Sequence, residues 1–175
     1  MSLTPPLNFE NWIDENRHLL KPPVGNKVVY SGTDFLIMVV GGPNSRKDYH
    51  VDPVEEFFYQ IEGDMILKII ENGRMLDIPI KEGEIFLLPK NIPHSPQRFE
   101  HTIGLVVEYQ REDGALDAFQ WYCDDCESLL HEVTLDLEDI VSQLPPLFEQ
   151  YWNNLENRTC GECGAIQQPP PKGSI

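Results

Sequence analysis

The chain has 175 residues, 41% of them hydrophobic, and a formal net charge of −16. That length suits one domain with a short appendage, and the apolar content is enough for a core and too high for a disordered chain. The acidity repels phosphate backbones and anionic membrane surfaces, so no nucleic-acid or membrane partner is expected, and no apolar run approaches the ~18 residues of a membrane span.

The opening segment, MSLTPPLNFENW, has neither the basic start nor the apolar stretch of a signal peptide, so a cytoplasmic location is the default expectation. Residues 8–20 predict a short amphipathic helix. Asn8 serves as N-cap, Trp12, Ile13 and Leu20 supply an apolar side, and Pro22-Pro23 stops it. From Lys27 to about Tyr109 the pattern changes to short β-prone runs broken by turns. The clearest are 35–40, 56–62, 65–71, 74–80, 84–89 and 104–110. Asn72-Gly73 is a two-residue hairpin signal, since both central residues of such a turn need positive φ. Strands at this spacing predict a small antiparallel barrel or sandwich.

Beyond Gly114 the texture shifts. Residues 134–144 and 147–157 read as two helices separated by Pro145-Pro146, and both lie between two Cys-x-x-Cys units. Three regions are therefore expected: a barrel with its N-terminal helix over 1–114, a cysteine-bearing metal appendage over 115–165, and a polyproline-like tail over 166–175. The cysteines stand as Cys123-x-x-Cys126 and Cys160-x-x-Cys163. In a cytosolic chain such pairs read as a tetrahedral thiolate site for Fe or Zn, with a redox dithiol as the alternative. Four thiolates leave no open coordination position, so the role expected of this site is structural. Gly164 permits the tight turn after the second pair.

A second metal-ligating pattern lies in the strand-rich region. His50 and Glu56 fall in one loop-plus-strand unit that ends at Gly63, and His94 follows the strand 84–89. Two imidazoles and one carboxylate leave several coordination positions free, the arrangement used by non-heme Fe(II) oxygenases. Arg46 and Arg98 each lie four residues from one of these histidines, close enough to reach the open side of a metal. An arginine pair would hold an anionic ligand against the general acidity. Glu108 shares a strand face with Val106 and Gln110, a mixed pair that does not decide whether that face looks inward.

These segments resemble the two cupin motifs, Gly-x5-His-x-His-x3,4-Glu-x6-Gly and Gly-x5-Pro-x-Gly-x2-His-x3-Asn. His50, Glu56, Gly63, Gly83, Pro89 and His94 fall on matching positions, whereas Asn44, Asp52, Asn91 and Arg98 replace a Gly, the second His, a Gly and the final Asn. The resemblance implies a mainly β cupin (jelly-roll) barrel, with a two-His-one-Glu site in place of three-His-one-Glu. LLKPPVGN, VVGGPNSRKDYH, EEFFYQIEG, EGEIFLLPKNIPHSPQR and WYCDDC are similar to the 3-hydroxyanthranilate 3,4-dioxygenase family, over nearly the whole chain. That resemblance implies Fe(II) on His50, Glu56 and His94, with 3-hydroxyanthranilate and O2 as substrates. It implies that Arg46 and Arg98 bind the substrate carboxylate, that Arg46 also meets O2, and that Glu108 hydrogen-bonds the chelating edge and relays a proton. A rubredoxin-like site on Cys123, Cys126, Cys160 and Cys163 and a homodimer are implied as well. Rival readings are a non-catalytic cupin binding module, a cupin isomerase, and a dioxygenase acting on another aminophenol or catechol.

Overall fold

A computed structural model describes residues 5–21 and 25–170. The expected N-terminal helix forms as α1 (Phe9–Asn16), with Asn8 Oδ1 accepting the Asn11 N–H at 2.9 Å, and ends in one 3-10 turn, Arg17–Leu19. The Pro22-Pro23 stop lies outside the described residues, as do positions 171–175 of the tail. Eleven strands follow among the described residues: β1 (Asn26–Tyr30), β2 (Phe35–Gly41), β3 (Asp48–Val51), β4 (Glu56–Glu62), β5 (Met65–Glu71), β6 (Arg74–Ile80), β7 (Ile85–Leu88), β8 (His94–Arg98), β9 (Ile103–Tyr109), β10 (Asp117–Tyr122) and β11 (Leu129–Leu135).

The strands form two sheets, in the orders β1-β2-β9-β4-β7 and β11-β10-β3-β8-β5-β6. This is the expected mainly β, cupin-type barrel. Alternation explains which residues face its interior: Glu56, Phe58 and Gln60 of β4 are buried, as are Met65, Leu67 and Ile69 of β5. Phe58, Leu67, Ile80, Leu88 and Val106 join in the barrel core. The outer face of the first sheet packs under α1 through Ile13, Leu20, Val39 and Ile103. The β5–β6 hairpin turns at Asn72 (φ 52°) and Gly73 (φ 73°), as its sequence predicts.

The C-terminal part differs from the expected pair of helices. Thr134 and Leu135 belong to β11, where they pair with Ala118 and Asp117, and β10 in turn pairs with β3. The second sheet therefore continues past residue 114. One helix, α2 (Ile140–Asn153), continues through Pro145-Pro146 without a break, followed by the single turn α3 (Leu155–Arg158). An interior proline costs about 3 kcal/mol or more in lost hydrogen bonding and clash. Leu144, Phe148 and Tyr151 offset that cost by burying one helix face against Phe119 and Trp121. Trp121 is fully buried and stacks on Tyr151 at 4.1 Å. No helix among the described residues is long and apolar enough to cross a membrane.

Candidate active site

Four strands aim polar side chains into one end of the barrel. His50 (β3) and His94 (β8) are cross-strand partners, and so are Glu56 (β4) and Glu108 (β9). Together with Arg46 and Arg98 they line a cavity of about 120 Å³. Met38, Phe58 and Val106 form its apolar wall, and Leu137, which follows β11, and Ile140 and Leu144 of α2 line it too. Glu108 thus faces inward and is 3% exposed, which settles what strand alternation left open.

The three expected ligands converge. Ligand atoms of His50, Glu56 and His94 lie within 4.8 Å of one another, with His94 Nε2 at 2.9 Å and His50 Nδ1 at 3.8 Å from Glu56 Oε1. The other ring nitrogens have their own partners: His94 Nδ1 is 3.0 Å from the Ile92 carbonyl, and His50 Nε2 is 2.6 Å from Asp117 Oδ1. Outer partners of this kind fix a ring and its tautomer so that the remaining nitrogen faces a metal. The donor set therefore fits a divalent transition metal with open positions. Burial pushes the Glu56 carboxyl up, but His94, His50 and Arg111 outweigh it and hold the pKa at about 2. Burial likewise works against the His94 imidazolium, and the Glu56 carboxylate raises its pKa in spite of that.

The two arginines differ in their surroundings. Arg46 pairs with Asp48 through Nε, at 3.1 Å, and through a terminal nitrogen. Arg98 is 2% exposed and donates through Nη1 to Gln60 Oε1 at 3.0 Å, while its Nε has no partner. Burial lowers the Arg98 pKa to about 10, against the pull of Glu56. A buried guanidinium held by an amide rather than a carboxylate is primed for an anion.

Several residues around His50, Glu56 and His94 escaped sequence reasoning. Arg111 contacts Asp117, Asp52 and Glu108, and Asp117 also holds His50. The His50 ring stacks on Phe119 at 4.8 Å and 11°. Alternation along β10 puts Asp117 and Phe119 on one face, and this was the available signal. Burial, then Glu108, push the Asp52 carboxyl up to about 7 against His50 and Arg111. Burial, then Glu56, also raise Glu108.

At the far end of β10 the four cysteines form a second group. Their sulfurs lie within 4.8 Å of one another, with Cys123–Cys163 at 3.6 Å and Cys126–Cys160 at 3.5 Å, and all four are free of disulfides. The two knuckles repeat one geometry. Cys123 N–H donates to Ser128 O and Cys160 N–H to Ala165 O, with Glu127 (φ 62°) and Gly164 (φ 77°) closing the turns. The set fits a tetrahedral metal.

The family model described as 3-hydroxyanthranilic acid dioxygenase matches residues 1–152. The chain belongs to that family. It is 55% identical to the 3-hydroxyanthranilate 3,4-dioxygenase of Jannaschia sp. (strain CCS1), over 96% of this chain and 95% of that protein. The Shewanella woodyi enzyme of the same name is 52% identical over 100% of this chain and 94% of its own, so the similarity extends across the second cysteine knuckle. Among solved structures, a cupin-2 domain containing protein from Shewanella frigidimarina is 17% identical, with a TM-score of 0.46 over 60% of this chain and 94% of that one. A dioxygenase family suggests a metal, and the described residues include a four-cysteine group and a His/Glu group that could hold one.

Proposed function

We propose that this chain is a ring-opening dioxygenase that converts 3-hydroxyanthranilate and O2 to 2-amino-3-carboxymuconate semialdehyde. The observation that carries this reading is one buried cavity in which two histidines and a glutamate face two arginines, in a chain of this family. Fe(II) on His50, Glu56 and His94 would supply adjacent coordination positions for an organic chelate and dioxygen, and the electronic coupling between them.

The protein's own groups do the rest. Arg98 and Arg46 take the substrate carboxylate and orient the ring, which converts diffusive encounter into a fixed approach. Arg46 also borders the space for O2. Glu108 accepts a hydrogen bond from the hydroxyl or amino edge of the substrate and holds the proton that edge gives up. The apolar wall of Met38, Phe58 and Val106 keeps water from the reacting carbons. The bond between ring carbons 3 and 4 breaks, and both oxygen atoms stay in the product. That product cyclises to quinolinate, which suits tryptophan catabolism and pyridine nucleotide synthesis in the cytoplasm.

The four cysteines hold a structural Fe or Zn, because thiolate saturation leaves no place for substrate. A homodimer is supported by the outer face of the first sheet. There Leu87, Phe57, Val107 and Ile37 are cross-strand neighbours, Ile85 is 65% exposed and Leu87 55%. Oxygen uptake with 3-hydroxyanthranilate under added Fe(II) tests the function. Uptake only with another aminophenol or a catechol would change the substrate, and no uptake with any of them would leave a binding module.

A further inference from the structure

Arg111 lies among three buried carboxylates. Its Nε donates to Asp117 Oδ2 at 2.7 Å, Nη2 to Asp52 Oδ2 at 2.7 Å and Nη1 to Glu108 Oε1 at 3.2 Å. Those carboxylates are 0%, 2% and 3% exposed. A planar guanidinium reaches the three acceptors from three nitrogens spread over a rigid fork, whereas a lysine ammonium would have to reach all three from a single nitrogen.

The same carboxylates could themselves ligate a metal. Ligand atoms of His50, Asp52 and Asp117 lie within 4.8 Å of one another, as do those of Asp52, Glu56 and Glu108. Both groups share a member with the set His50, Glu56 and His94. Asp52 also stands at the motif position where the general cupin pattern has its second histidine. An ion in this pocket thus has carboxylate oxygens within reach beyond the three proposed ligands. Each one that bound would add negative charge, raise affinity and remove a position needed by substrate or O2.

We propose that Arg111 is a positioning residue that sets the coordination number of the barrel metal, holding Asp52, Glu108 and Asp117 in one fork and keeping their oxygens off the ion. The inference rests on the barrel-metal reading above. Asp117 gives the fork a second effect, because its other oxygen meets His50 Nε2 and turns the opposite ring nitrogen toward Glu56.

The test uses the full chain with zinc in the cysteine site and Co(II) titrated into the barrel, read by visible absorption with and without added azide. Arg111→Met should bind Co(II) about tenfold or more tighter, because ligand charge tunes affinity. Its absorption should weaken as coordination rises, and its response to azide should vanish. Adding Asp52→Asn should move the spectrum and azide response back toward those of the wild type, because it removes one of the three released carboxylates. Arg111→Lys, which keeps a charge in the pocket and guards against misfolding, should change the spectrum in the same direction by less. A folded Arg111 variant with the wild-type spectrum and azide response overturns the proposal, even if it binds Co(II) more tightly, since lost repulsion alone would do that. If the wild-type chain shows no Co(II) uptake dependent on His50 and His94, the barrel-metal reading fails and takes this proposal with it.

Discussion

Replacing Gly104 by alanine should impair substrate binding while leaving the fold intact. Gly104 sits in β9 opposite Gln60, where a strand position without a side chain lets the Arg98 guanidinium lie against the backbone. A Cβ there would meet Arg98 Nη1 at 2.6 Å, Gln60 Oε1 at 2.8 Å and Arg98 Nη2 at 2.9 Å. Ordinary contacts between such atoms begin near ~3.5 Å, so the guanidinium must retreat by about 1 Å. The displaced atoms end a flexible side chain, and alanine is the better strand residue by roughly 0.5–1 kcal/mol, so the melting temperature should move little. Losing one charge-assisted hydrogen bond to the carboxylate costs about 1.5–3 kcal/mol, or roughly 10- to 150-fold in binding. Steady-state kinetics on 3-hydroxyanthranilate should show that rise in KM. 2-Aminophenol, which lacks the carboxylate, should be handled as well as by the wild-type chain. An unchanged KM for 3-hydroxyanthranilate, or an equal loss on 2-aminophenol, would refute the carboxylate role of Arg98.

Cys126→Ser or Cys160→Ser should lower thermal stability while the folded fraction keeps near-normal turnover per barrel iron; a large fall per iron at an unchanged melting point would give the cysteine site a catalytic part. Tyr151→Phe removes the 2.7 Å hydrogen bond to Gln167 Oε1 and leaves a buried acceptor unpaired, so chemical denaturation should show a loss of about 1–3 kcal/mol. Asn91 has φ 63° where the cupin motif carries glycine, so Asn91→Ala should cost about 1 kcal/mol by the same measurement and Asn91→Gly should be nearly neutral.

The hydrophobic strands were legible because their residues alternate or run apolar between clear turns; β2, β4, β5, β6, β7 and β9 fall within a residue or two of their expected bounds. The strands that carry the histidines were not. β3 reads DYHV and β8 reads HSPQR, both short, polar at several positions and, in β8, interrupted by Pro96. The lining explains the weakness of that signal: a barrel end lined with His, Glu and Arg side chains cannot also be lined with valine. The helix through Pro145-Pro146 was missed for another reason. Local proline chemistry argues for a break, and only the tertiary burial of Phe148 and Tyr151 overrides it. The convergence of His50, Glu56 and His94 was readable from motif spacing, whereas Arg111 and Asp117 meet their partners 59 and 67 residues away, at Asp52 and His50. Chain spacing carries no trace of such contacts.

The proposed activity depends on the barrel metal. Oxygen uptake with 3-hydroxyanthranilate, measured beside metal content in the iron-loaded wild-type chain and in the His50→Ala/His94→Ala double variant, tests it most directly. The double variant should lose the barrel iron and all uptake, yet keep its thiolate-bound metal and its folded state. Uptake that persists in a folded double variant, or an iron content equal to that of the wild-type chain, would contradict it.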